Sequence, residues 1–172
     1  MVQIEYLPIV LTGIGIIVSI LYYTSVLRNA NKTQQMQLET RQAQMFMQIY
    51  AQVNSIDFKQ AVMKMQVYNF ENIDDFLEVF NLDSKEGIEN WQSIQTIVTY
   101  YEGVGVLVKE GLLDIKYVAL LICGTTINLW EKFDRIADDI REYTGSRRWA
   151  SEWQYLYNEL IKYLEEHPEL AP

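Results

Sequence analysis

Between Tyr6 and Leu27 the chain carries no charged side chain, and those 22 residues read YLPIVLTGIGIIVSILYYTSVL. A helix that long reaches about 33 Å, enough to cross a hydrocarbon core of about 30 Å. Tyr6 stands at one end and Tyr22 and Tyr23 near the other, where amphipathic rings favour the headgroup layers. Pro8 falls in the first turn, whose backbone N–H groups have no intrahelical partner in any case. The run therefore predicts a transmembrane helix over residues 6–27, preceded by a short external amino terminus, residues 1–5. A cleaved signal peptide is the competing reading. It would open with positive side chains and close on a small-x-small site, whereas only Glu5 precedes this run and Arg28 and Lys32 follow it. Positive charge on that flank places the amino terminus outside the cell (plasma or inner) membrane and the remaining chain in the cytoplasm. The sequon Asn31-Lys32-Thr33 would then face the cytoplasm, so it reads as a chance match.

Inside the span, Gly15 and Ser19 lie four apart on a face shared with Pro8 and Thr12, a spacing that lets a second helix approach closely. They are candidate helix-packing residues. No acid, Lys or Arg interrupts the span, which argues against a proton or ion path through this helix alone.

Charge divides the chain. Residues 1–54 sum to +1 and residues 55–172 to −10, within a total of −9. An acidic body argues against nucleic acid as a partner. Hydrophobic residues make up 49% of the chain, with 12 Tyr, 6 Phe and 4 Trp, which excludes a disordered polymer. A single Cys excludes a disulfide framework or a Cys-based zinc site, and a single His excludes the His-pair metalloenzymes.

No Gly or Pro occurs between Gly15 and Gly87, so the membrane helix can continue into water as a helical neck, residues 28–54. A heptad register through Leu38 and Met45 puts Asn31, Gln34, Arg41 and Gln52 at core sites, so the neck reads as solvated, turning apolar from Met45. Leu38, Met45, Ile49, Val53 and Ile56 share one face there. Helical spacing then recurs through residues 55–167, ahead of a tail at 168–172. One element runs through Phe58, Val62 and Met65 to Asn69, and a short one covers Ile73–Phe80. The longest stripe joins Trp91, Ile94, Val98, Tyr101 and Val108; Gly111 closes it and Asp114 caps its successor. Gly124-Thr125-Thr126 is expected to break and re-cap the chain. A stripe from Ile127 through Trp130, Phe133 and Ala137 to Ile140 follows, ending at Gly145. Trp149, Trp153, Leu156, Leu160 and Leu164 form the last. The uncharged run Tyr117–Trp130 is too short to span, so it reads as a core helix plus its turn, with a re-entrant segment as the alternative. The fold class is all-α: one transmembrane helix, a helical neck and a cytoplasmic helical bundle.

The segment YYEGVGVLVKEGLLD, residues 100–114, holds the densest set of candidate residues. Its glycines lack the third Gly and preceding strand of a dinucleotide site, and no Gly-Lys-Ser/Thr makes a phosphate loop. Gly103 and Gly105 each cost a helix about 1 kcal/mol relative to Ala. Close packing of another helix would offset that, with Glu102 held by a basic partner. Residues 131–142 bear five carboxylates, but also Lys132, Arg135 and Arg141, and lack the Glu-x-x-His of di-metal bundles. They read as a solvated face, and no metal, cofactor or catalytic set is assigned. Cys123 in its apolar stretch reads as an inert thiol.

Tyr101-Glu102 with Gly103 and Gly105, then Val108, Gly111 and Asp114, are followed by Trp130, by Ile140-Arg141 and by Trp153, Tyr155 and Leu156. Over roughly residues 95–160 this pattern resembles a family of domains of unknown function. Its members are small bacterial and archaeal proteins with one amino-terminal membrane helix and a helical cytoplasmic part. Gln154 stands where that pattern has an acid. The resemblance implies the fold and no activity, so it carries over no catalytic residue.

The expectation is a single-pass anchored protein acting through protein–protein contacts, with the bilayer and a protein partner or a second copy as its partners, as an accessory or assembly subunit of a membrane complex. Candidate contact residues are Gly15, Ser19, Tyr101, Glu102, Gly103, Gly105, Trp130, Arg141 and Trp153. The alternative is a membrane-tethered enzyme or ligand sensor built on Glu102 and the helix 131–142.

Overall fold

The structure, a computed structural model, describes residues 7–172. The expected tail 1–5 and the start of the span at Tyr6 lie outside them. Every regular element among the described residues is helical: α1 (Leu7–Val53), α2 (Ile56–Gln66), α3 (Ile73–Val79), α4 (Lys85–Lys109), α5 (Ile115–Phe133), α6 (Ala137–Thr144) and α7 (Ser151–Glu166), with 3-10 turns at Asp134–Ile136 and Pro168–Leu170. The chain divides into two compact units, the first ending at Ala43 and the second running Gln44–Pro172.

Among the described residues, the first unit is the part of α1 from Leu7 to Ala43. Its most apolar 18-residue window has a mean hydropathy of 2.0 with none of it buried, so it is a candidate membrane span. Three hydroxyls there turn back onto their own helix: Thr12 Oγ1 donates to the Pro8 carbonyl (2.8 Å), Ser19 Oγ to Gly15 (2.8 Å) and Thr24 Oγ1 to Ile20 (2.7 Å). Each thereby avoids presenting an unpaired donor to hydrocarbon. Leu38, expected on the apolar neck face, is 60% exposed.

In the second unit, the end of α1 buries Ile49, and Phe46 meets the Tyr117 ring edge-on at 5.4 Å. Asn54 and Ser55 break the helix, and Ser55 Oγ caps α2 by accepting from the Phe58 N–H. That break resets the helical phase, so Ile56 points to solvent instead of extending the neck's apolar face. Helix α2 buries Phe58, Ala61 and Met65 and stops at Gln66, short of Asn69. Asn72 caps α3 and Ser84 caps α4. Gly111, at φ +66°, closes α4, and Asp114 Oδ1 accepts from the Lys116 N–H to open α5.

Two expectations fail around α5. The chain does not break at Gly124-Thr125-Thr126, because α5 runs through it. Thr126 is fully buried and donates to the Ile122 carbonyl (2.8 Å), so its hydroxyl is satisfied inside the helix rather than as a cap. Burial of Val118, Ile122 and Ile127 on the same helix supplies the packing that overrides the Gly-Thr-Thr signal. The stripe expected from Ile127 through Ile140 is instead divided by the 3-10 turn at Asp134–Ile136, which re-aims α6. Gly145, at φ +67°, ends α6 as expected. The uncharged run Tyr117–Trp130 lies within α5, which packs on α7, while α4 packs along both α2 and α7.

Candidate functional site

Helix α7 starts without a cap of its own. Ala150 precedes it at φ +53°, an unfavourable conformation for a residue with a Cβ, and its methyl offers no acceptor. Glu102 on α4 supplies the acceptor from 50 residues away: its Oε1 takes the backbone N–H of Glu152 (2.7 Å) and of Trp153 (3.0 Å). A carboxylate there also meets the positive end of the helix dipole. The expected basic partner for Glu102 is therefore replaced by a helix N-terminus.

Steps of three and four along α4 carry the contact onward. Gly105, three residues on, is buried, and a Cβ there would overlap the Glu152 carbonyl, so glycine is what lets α4 and α7 meet backbone to backbone. Lys109, four further, donates to both Glu152 carboxylate oxygens (3.1 and 2.9 Å) and lies 5.5 Å from the centre of the Tyr155 ring. Arg148 stands 3.6 Å from the same carboxylate. Gly103 takes no part: it is exposed, with open space where a Cβ would sit.

Below this seam lie the aromatic residues. Tyr101 stacks on Trp153 with centroids 4.7 Å apart and planes 13° from parallel, and Trp130 meets Trp153 edge-on at 5.3 Å. Trp130 donates from Nε1 to Asp134 Oδ1 (3.1 Å). The Tyr101 hydroxyl and Trp153 Nε1 are buried without a hydrogen-bond partner. Burial pushes the Tyr101 hydroxyl's pKa well above the usual phenol value, partly offset by the Thr126 hydroxyl beside it; burial and the neighbouring Tyr101 push Tyr100 up as well. Both stay protonated wherever the protein is folded at neutral pH. Burial alone raises the Cys123 thiol, which keeps it protonated and unreactive.

Arg141 approaches from α6. Its Nε donates to the Trp149 carbonyl (3.0 Å), one terminal nitrogen to Gln154 Oε1 (2.9 Å) and the other to Asp138 Oδ1 (2.7 Å). It thus fastens α6, the segment before α7 and the first turn of α7 together. The amide at Gln154, in place of an acid, accepts one of these bonds.

Tyr101, Glu102, Gly105, Trp130, Arg141 and Trp153 consequently form one cluster around the start of α7, and Gly103 stands outside it. Gly15 and Ser19 belong to the first unit, where Ser19 bonds to the Gly15 carbonyl. Lys109 and Glu152 complete the cluster and were missed in the sequence; the spacing from Glu102 through Gly105 to Lys109 was the available signal. Lys132, expected on a solvated face, instead donates from Nζ to the carbonyls of Gln66 (3.0 Å) and Tyr68 (2.7 Å) and to Asn69 Oδ1 (2.8 Å), tying the end of α2 and the segment after it to α5. Chemically, the cluster is a brace. Its carboxylates and cations bind backbone and one another, and no three of its acids or thiols converge on one point.

Among known proteins, a family model described as a domain of unknown function, DUF4760, matches residues 9–160. The match takes in most of the chain, so the chain belongs to that family. No curated protein and no solved structure matches it.

Proposed function

We propose that this DUF4760 member is a single-pass membrane protein with its amino terminus outside the cell membrane and its helical body in the cytoplasm. The body binds other proteins as an accessory or assembly subunit of a membrane complex. One observation carries the reading: an 18-residue stretch of α1 with mean hydropathy 2.0 has none of its residues buried. So much apolar surface is stable only against lipid or another protein. Arg28 and Lys32 on its carboxyl-terminal flank support the orientation.

The body's chemistry fits a binding role. Glu102, Arg141 and Lys132 are spent on holding helices and connecting segments. The charge of −10 over residues 55–172 favours partners that present basic segments. An enzyme or sensor built on Glu102 would need that carboxylate at a ligand, whereas its Oε1 already accepts two backbone N–H groups.

Purification of the chain in detergent from native membranes after mild crosslinking tests the role. A defined set of co-purifying proteins is expected; recovery of the chain alone overturns it. Protease added to intact cells tests the orientation. The body should stay whole, and cleavage within residues 55–172 overturns the cytoplasmic placement.

A further inference from the structure

Past the span, α1 runs on as a polar helix, and Asn29, Thr33, Met36, Thr40 and Ala43 along it are all exposed. A polar helix surrounded by water needs either many i,i+4 pairs or a packing partner. Among the described residues of this stretch, Gln35–Glu39 at 3.4 Å is the one side-chain pair between helical neighbours. The register through Leu38 fails as a heptad core, but another passes. From Thr12 to Ala43, alternating steps of three and four meet no charged residue: through Gly15, Ser19, Tyr22 and Val26 in the apolar half, then Asn29, Thr33, Met36, Thr40 and Ala43 in the polar half, with Asn29 the one amide on the line. Arg28, Lys32, Glu39 and Arg41, the four charged residues of Leu7–Ala43, all lie off this line.

The surface itself supplies the second observation. An open hollow of about 390 Å³ is lined by Thr33, Met36, Gln37, Thr40 and Arg41. Four residues at i, i+3, i+4 and i+7 are the hole that receives one side chain of a facing helix in coiled-coil packing. In the register through Gly15 and Met36 these positions are a, d, e and a, the set that takes a knob from position d. Met36 is itself at d, 50% exposed and flexible enough to fill an irregular gap.

We infer that α1 pairs in parallel with α1 of a second copy of this chain, along the charge-free line, with Met36 of each copy seated in the other's Thr33–Met36–Gln37–Thr40 hollow. The inference rests on the membrane-anchored reading. Knob and hole occur at the same level of one helix, as a self-complementary two-fold contact requires. The seam runs unbroken from lipid into water, so its partner must also carry a membrane helix that continues into a polar one, and left-handed packing of this kind works in both media. Insertion with a single orientation makes the pair parallel, and Lys32 then faces the partner's Gln37, not a like charge. Helices about 55 Å long, touching along a strip about 10 Å wide, bury on the order of 1,000 Å² together, near the lower bound for a specific interface.

The test uses the full chain in phosphatidylcholine vesicles at high lipid excess, with single cysteines introduced at the seam (Met36→Cys, Ala43→Cys) and off it (Leu38→Cys, Gln34→Cys). The unsubstituted chain controls for the buried Cys123. Under mild oxidation the seam variants should form disulfide-linked dimer at least about fivefold more than the off-seam ones, since a disulfide needs Cα atoms within about 7 Å. Adding Met36→Glu to Ala43→Cys should lower that yield by about tenfold, because two carboxylates would meet in the seam. Equal linking at all four positions, a maximum at Leu38 or Gln34, or no linking overturns the pairing. Vesicle flotation separates the two claims. A chain that floats but does not link overturns the pairing alone, whereas one that stays in the aqueous fraction overturns the anchor as well.

Discussion

Removing the Glu102 carboxylate tests whether one side chain on α4 organises the start of α7. Glu102 Oε1 is the acceptor for the N–H groups of Glu152 and Trp153, and Ala150 cannot replace it. In Glu102→Ala both donors lose their partner in a region where Glu152 is 7% and Trp153 0% exposed. Losing a cap costs about 1 kcal/mol, and stranding a buried donor costs about 1–3 kcal/mol. The expected loss is thus about 2–4 kcal/mol, reduced if water reaches one of the donors. Glu102→Gln keeps an acceptor of nearly the same shape and gives up only the charge. Charge-assisted bonds are roughly twice as strong as neutral ones, so this variant should lose about 1 kcal/mol. Denaturant unfolding of the detergent-solubilised chain, followed by tryptophan fluorescence, reads both values, since Trp153 lies one bond network away. Equal losses in the two variants would refute the capping geometry, and losses below about 0.5 kcal/mol in both would refute its energetic importance.

Gly105→Ala should destabilise by about 1–3 kcal/mol, because the new methyl meets the Glu152 carbonyl, whereas Gly103→Ala should stabilise by about 0.5–1 kcal/mol; melting temperatures moving in opposite directions check the pair. Tyr101→Phe removes a buried hydroxyl that lacks a partner, so stability should hold or rise by up to about 1 kcal/mol, and a fall of more than about 2 kcal/mol would contradict the unpaired assignment. Since Tyr100 and Tyr101 are raised in the folded state, the unfolded chain releases their protons first; stability is complete below pH ~10 and falls as pH rises beyond it, with a smaller slope in Tyr101→Phe, measurable by unfolding across that range. Arg141→Lys leaves one ammonium to replace a fork that reaches Trp149, Gln154 and Asp138, and should cost about 1–2 kcal/mol with loss of near-ultraviolet circular dichroism from Trp149.

Periodicity and punctuation along the chain were enough to establish the all-helical class, the long apolar first helix, the closures at Gly111 and Gly145 and the cap at Asp114. These depend on a residue and its neighbours within one or two turns, where steric and hydrogen-bond preferences act without help from the rest of the fold. The candidate cluster was legible only as residue types. Gly103 and Gly105 look alike in sequence, and the choice between them was made by the Glu152 backbone arriving from 47 positions away. Glu102 announced a need for a positive partner and found a helix N-terminus instead, since partial charges on backbone N–H groups leave no mark in the sequence. The Gly-Thr-Thr of α5 signalled a break that burial of its flanking apolar residues overrode. Whatever local preference controls was therefore determined by the amino acids in order; which faces meet was decided by packing, because the free energy of joining two helices belongs to neither of them alone.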